Sequence, residues 1–253
     1  MVIVALKWNT HQTTLIKLMY NKIKILFLFI LLLSSLCIKA QVTNDAGLWT
    51  TLSIEKEFTK KFSVSVDEEI RLKENFTQLN LLYTNLGLNY KFTKAFKVSL
   101  TYRMIEKYMP DDWLSFRHRL MLDISYKQKI KSFSLSYRSR FQSEVQQYYS
   151  TEFGKIPEWY WRHKFELKYN LNKFSPYLGT ELRYQFTNPR SVENDYGWHR
   201  IRMFAGTDYK IDSRNTVGLY YLIQQEYDVK NPSNLYIVGL EYSLTLPCKQ
   251  EKK

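Results

Sequence analysis

Cysteine is nearly absent. Cys37 and Cys248 are the two in 253 residues, too few for a disulfide scaffold or a Cys-based zinc site. Eight glycines and six prolines exclude collagen-like and low-complexity chains. The chain is too polar overall for a helical membrane bundle, and no stretch after residue 41 repeats with a helical period. What is abundant is aromatic: 20 Tyr, 15 Phe and 6 Trp make up 16% of the chain. The net charge is +13, from 37 Lys and Arg against 24 Asp and Glu.

Residues 1–40 differ from everything after them. They hold five lysines and no acidic residue, and Ile23 to Leu33 is apolar apart from Lys24. A basic segment, a short apolar stretch and a small residue before a cut site make a secretory signal, with cleavage expected after Ala40. The apolar stretch is shorter than the roughly twenty residues a spanning helix needs. Met19 opens a more typical leader, so 1–18 is a candidate false start. Cys37 lacks the small residue expected before a lipidated cysteine, being preceded by Leu36. Taking those five lysines from the 37 basic residues leaves 32 against 24 acidic, a net +8.

From there the chain alternates with period two. Phe133, Leu135, Tyr137, Ser139 and Phe141 interleave with Ser134, Ser136, Arg138, Arg140 and Gln142, which gives one apolar and one polar face. The same pattern fits eleven segments, the last carrying Tyr236, Val238, Leu240, Tyr242, Leu244 and Leu246 on its apolar face. Segments 47–58 and 77–92 are noisier. The joins alternate as well. Short ones, such as Phe58-Thr-Lys-Lys-Phe62 and Phe92-Thr-Lys-Ala-Phe96, are interleaved with longer joins near 74–77, 108–113, 143–158, 187–197 and 228–234. One rim of short turns facing the periplasm and one of longer outer loops is the plan of a transmembrane β-barrel.

The expected fold is therefore all-β: a single antiparallel transmembrane barrel of about 10–12 strands over 41–246, with a polar tail at 247–253. Three features favour a membrane over a soluble periplasmic sandwich or lipocalin-like barrel. The segments are longer than the five or six residues of an ordinary soluble strand. Their polar faces are heavily charged. Aromatics gather at the segment ends, with Trp113, Trp159, Trp161 and Trp198 at the loop rim and Tyr90, Tyr126, Tyr169 and Tyr209 at the turn rim, as two interfacial girdles would require. Eleven segments conflict with the even count of single-chain bacterial barrels, so ten or twelve is expected, and the first segment starts at the wrong rim for both ends to lie in the periplasm.

A repeat of Trp followed by closely spaced basic residues opens three descending strands: Trp113…Arg117-His118-Arg119, Trp161-Arg162-His163-Lys164 and Trp198-His199-Arg200-Ile201-Arg202. Alternation turns Arg117, Arg119, Arg162, Lys164, Arg200 and Arg202 inward, joined by Arg103, Arg138, Arg140 and Arg183. The inward acids are Asp67, Glu69, Asp123, Glu144, Glu166, Glu181, Asp208, Glu226 and Glu241. Such a lining either biases a narrow pore toward anions or fills the lumen with paired charges. Parity places His118, His163 and His199 outward, so neither a metal site nor a Ser-His-acid set is expected, and no cofactor is called for. The expected partners are outer-membrane lipid and small anionic solutes; nucleic acid is not one of them, because the chain is exported and its charge forms no patch.

The features Lys39-Ala40-Gln41, Gly47-Leu48-Trp49-Thr50 and the three basic repeats resemble the outer-membrane barrels grouped as domain of unknown function 2490, across nearly all of 41–246. That resemblance implies location and fold, and supplies no substrate and no catalytic residue. One departure is the run Pro247 to Lys253 past the last segment, where many barrels end on an aromatic. The function expected is a non-enzymatic outer-membrane barrel, a small passive channel with a basic lumen. The alternative is a closed structural or adhesion barrel acting through 143–158 and 187–197. A barrel enzyme would need a polar catalytic set at the loop rim, and alternation supplies none.

Overall fold

The computed structural model describes residues 43–108, 114–146, 155–187, 196–229 and 231–248. Eleven strands occupy them: β1 (Thr43–Glu57), β2 (Phe62–Lys73), β3 (Gln78–Lys91), β4 (Phe96–Tyr108), β5 (Leu114–Ile130), β6 (Phe133–Gln146), β7 (Glu158–Tyr169), β8 (Phe174–Thr187), β9 (Gly197–Lys210), β10 (Asn215–Glu226) and β11 (Ser233–Leu246). Sequential strands pair antiparallel all the way round, and the sheet closes on itself. The signal expected at 1–40 and Trp113 lie outside the described residues.

Closure explains the odd count. β1 runs parallel to β11, in continuous register from Thr43↔Ser233 to Lys56↔Leu246. The expected ten or twelve strands assumed antiparallel pairing at every seam, which forces an even number. One parallel seam removes that constraint. β1 thus begins at the loop rim beside the start of β11, the placement that looked wrong when an even count was assumed.

Alternation decides which face each residue takes, and the faces are inverted relative to a soluble protein. Large apolar side chains such as Leu86, Leu120, Leu178 and Leu219 lie half-exposed on the outside. The buried set is mostly polar: Ser63, Glu69, Asn85, Asn89, Arg103, Asp123, Glu144 and Glu181. A surface of this kind needs a lipid exterior and a polar interior. Strands of 12 to 17 residues exceed the 9–11 or so that a tilted membrane strand takes.

The inner face is not wholly polar. Trp49, Phe204, Leu222 and Ile237 form a buried cluster against β1 and β9–β11, with Tyr177, Tyr220 and Leu235 packed on it. Three of these rings lie across glycines on neighbouring strands: Tyr220 faces Gly239 and Gly206, Tyr177 faces Gly206, and Phe204 faces Gly179. This side of the barrel is therefore filled by side chains rather than left open.

The short turns are held by side chains as well as backbone. Thr59 Oγ1 accepts from the amides of Lys61 and Phe62, and Thr93 Oγ1 does the same for Ala95 and Phe96. Asp212 plays that part between β9 and β10, accepting from the amides of Arg214 (2.7 Å) and Asn215 (2.8 Å) and from Asn215 Nδ2 (2.7 Å). The Asn215 side chain, followed by those two amides, holds the Asp212 carboxyl below its usual value. A depressed folded-state pKa stabilises the turn above the unfolded value of about 3.9 and loses that contribution as pH falls through the folded value. An NMR titration in micelles should give Asp212 a midpoint below that of a free aspartate. A midpoint at or above the free value would mean the cap is not formed.

Candidate functional site in the lumen

Alternation and closure bring the charged faces of all the strands into one lumen. The structure places Arg103, Arg117, Arg119, Arg138, Arg140, Arg162, Lys164, Arg183, Arg200 and Arg202 on the inner face. The acids Asp67, Glu69, Asp123, Glu144, Glu166, Glu181, Asp208, Glu226 and Glu241 share it.

Most of these charges are paired with neighbours on the same strand or one or two strands away. Glu181 on β8 is the most heavily used. Its Oε2 accepts from Arg138 Nη2 on β6 (2.8 Å), and its Oε1 accepts from Arg162 Nη2 on β7 (2.5 Å) and Arg202 Nη1 on β9 (3.1 Å). Asp123 takes both Nε and Nη2 of Arg140, at 2.6 Å each, a fork-on-carboxylate geometry that fixes orientation as well as charge. Glu144 accepts from Arg119 at 2.5 Å and lies 3.6 Å from Arg117. Glu69 holds Arg71 at 2.6 Å and Arg103 at 3.6 Å. Arg200 pairs with Glu226, and Lys168 with Asp208 at 2.5 Å. Lys164 pairs with Glu166 at 2.9 Å.

Two of the cavities bordering this network share lining residues with each other. One of about 470 Å³ opens toward the loop end, and one of about 330 Å³ lies toward the turn end. Both are lined in part by Trp49, Arg71 and Arg202, so these three side chains stand between them. Arg71 lies over the Trp49 ring, with its Cζ 3.4 Å from the centroid, and Arg202 approaches the same ring at 5.4 Å. An arginine held on an aromatic face keeps its charge and is rigidly placed.

The two chambers differ in charge. The loop-end chamber carries eight basic side chains (Arg71, Lys73, Lys107, Arg117, Arg119, Arg183, Arg200, Arg202) and three acidic ones (Asp45, Glu144, Glu158). The turn-end chamber is close to balanced. It has seven basic side chains (Arg71, Arg103, Arg138, Arg162, Lys164, Lys168, Arg202) against six acidic ones (Asp67, Glu69, Glu166, Glu181, Asp208, Glu241).

The histidines divide. His118 pairs with the Tyr102 hydroxyl through Nδ1 (2.6 Å) and His163 with that of Tyr137 (2.7 Å), both on the outer face as parity requires. His199 does not follow. The β8–β9 register pairs Arg183 with Arg200 and then Tyr184 with Trp198, which leaves His199 as the extra residue of a bulge. The bulge turns Trp198 out and His199 in. His199 is buried, its Nε2 accepts from Arg183 Nη2 (2.6 Å), and Nδ1 is left to donate to the Gly197 carbonyl (3.2 Å). Among the described residues no group of His, Cys, Asp and Glu has metal-site geometry.

The outer face carries the aromatics. Trp159, Trp198, Tyr90, Tyr126 and Tyr169 are exposed at strand ends, Tyr209 packs at a tilt against Phe174, and Trp161 stacks on Phe141 at 5.3 Å. Trp161 also donates from Nε1 to Ser139 Oγ, which gives that outward hydroxyl a partner in an apolar setting. Trp49, Tyr83, Tyr160, Lys107 and Lys168 also line the lumen, outside the set expected from sequence; the signal for Lys107 is its shared parity with Arg103 four residues before it.

Residues 46–235 match the family model described as Protein of unknown function (DUF2490). The chain belongs to this family. A search of curated proteins finds no match. Among solved structures, a NanC porin in a rhombohedral crystal form is similar at 15% identity and a TM-score of 0.48, covering 80% of this chain and 98% of that one. The family carries no assigned activity, so the chemistry of this barrel rests on the lumen described above.

Proposed function

We propose that this barrel is a small passive channel of the outer membrane, selective for anions, reached after cleavage of the leader at Ala40. The reading rests on the excess of basic over acidic side chains in the loop-end chamber, the first compartment an external solute meets. A ring of cations around a narrow aqueous mouth raises the local anion concentration and repels cations. The balanced inner chamber would then act as a conduit with little preference of its own. A second reading is a closed structural barrel. It is favoured by the Trp49–Arg71–Arg202 contact between the chambers and by the pairing of most lumen charges.

The test is planar-bilayer recording on refolded residues 41–253, with gel mobility confirming the folded barrel. Under a salt gradient, unitary steps should reverse on the anion side. Neutralising Arg117, Arg162 and Arg200 together should move the reversal potential toward cations, because Glu144, Glu181 and Glu226 each lose a partner. An open pore whose selectivity ignores the triple substitution would refute the basic lining. Silence from confirmed inserted barrel would favour the closed reading.

A further inference from the structure

We propose that the loop-end chamber contains a binding station for one small oxyanion, of the carboxylate or phosphate class, held chiefly by Arg183 with Arg117 and Lys107. The proposal rests on the channel reading but asks more of it. Anion preference needs only diffuse charge, whereas a station needs donors aimed at one place.

Three observations point to such a place. First, the Nε atoms of Arg117 and Arg183 are buried and have no hydrogen-bond partner. Those Nε atoms are themselves closed off from the cavity, so they show that the wall leaves both guanidiniums under-satisfied, and an anion would meet the terminal nitrogens. Second, Arg183 has no carboxylate within ion-pair distance among the described residues. Its Nη2 is spent on His199, its guanidinium lies 4.7 Å over the Tyr160 ring, and in the β8–β9 register it stands directly opposite Arg200. Glu226 pairs with Arg200 there and leaves Arg183 without a carboxylate of its own beside a like charge. Third, Lys107 lines the same cavity with no acidic partner at ion-pair distance among the described residues. Gln146 and Gln185 on the same wall add neutral amides.

The fixed geometry suits a ligand with two or three oxygens in one plane. Arg183 is held by the Tyr160 ring and by His199. The bulge that turns His199 inward is what holds it there, so an apparent irregularity of β9 becomes part of the site. A cavity of about 470 Å³ accommodates a small solute with water rather than a polymer.

The experiment uses the full refolded barrel in micelles, with inorganic phosphate and acetate as separate titrants followed by calorimetry. Saturable one-to-one binding of either is expected, and the titrant that binds names the class. Arg183→Gln should weaken it at least tenfold, whereas Lys173→Gln, on a turn at the other end of the barrel, should leave it unchanged. In bilayers the same titrant should reduce chloride current with a saturating dose dependence. Anion-selective current with no saturable binding would overturn the station and leave the channel reading standing. Cation-selective current with saturable, Arg183-dependent binding would do the reverse. Equal weakening in Lys173→Gln would show only diffuse attraction, and the station would be wrong.

Discussion

Removing the charge of Glu181 should destabilise the barrel more than any other single substitution in the lumen. The side chain is 7% exposed and serves Arg138, Arg162 and Arg202 from three different strands. In Glu181→Gln all three guanidiniums stay where the wall puts them, and none of the three has another strong partner. Arg138 reaches Asp123 only at 3.9 Å, Arg162 has Gln142 at 3.3 Å, and Arg202 has Gln224 at 2.8 Å. Breaking a buried pair by deleting one partner costs about 3–5 kcal/mol, since the survivor keeps its desolvation and loses its attraction. Here three cations survive, so the upper end of that range is expected. Urea unfolding in lipid vesicles, followed by tryptophan fluorescence, should show the fall in midpoint.

Glu68 on β2 is the contrast. It points outward, is exposed, and accepts one hydrogen bond, from Thr84 Oγ1 at 3.1 Å. A carboxylate on the lipid face is itself unfavourable. Glu68→Gln should therefore be neutral or stabilising under the same assay. If both substitutions cost the same, the Glu181 network would not be the reason for the loss. A pore enlarged by Glu181→Gln would further indicate that the triad narrows the lumen as well as holding it.

How much of this was legible in the sequence depends on which physical constraint wrote the signal. Lipid outside and water inside impose opposite preferences on alternate residues, so parity alone assigned Arg138 and Arg140 to the lumen and Tyr137 and Phe141 to the exterior. Trp159 and Trp161 were legible for the same reason. His199 was not, because one bulged residue reverses parity locally and leaves no mark in composition. The parallel β1–β11 seam was invisible too: alternation says which face a residue takes and nothing about which strand lies beside it. Apolar residues on the inner face were the third gap. Trp49, Phe204 and Ile237 interrupt the polar pattern, and in sequence such interruptions read as noise. Their meaning appears only when facing strands place glycines beneath the rings.

Those glycines carry the second large effect. A Cβ added at Gly239 would stand 1.9 Å from Cζ of Tyr220 and 2.1 Å from its Cε1. No rotamer adjustment of a few tenths of an ångström relieves that, so the ring must leave. It cannot slide toward β9, where a Cβ on Gly206 would already meet Tyr220 Cβ at 2.7 Å and Tyr177 Cζ at 2.8 Å, evidence of how tightly that side is filled. Gly239→Ala should therefore cost about 1–3 kcal/mol, the range for overpacking a filled interior, and expel Tyr220 from the cluster around Trp49. A double-mutant cycle isolates the cause. In the Tyr220→Ala background the clash has gone, so adding Gly239→Ala should cost little, and the two losses should fall short of their sum by a coupling in the range of about 0.5–3 kcal/mol. Gly218→Ala serves as the reference, since its Cβ would meet nothing closer than Asp208 Oδ1 at 3.3 Å and Glu241 Cβ at 3.4 Å. Additive losses for Gly239 and Tyr220 would mean that the ring does not rest on the glycine, and the filled side of the lumen would have to be explained by the apolar cluster alone.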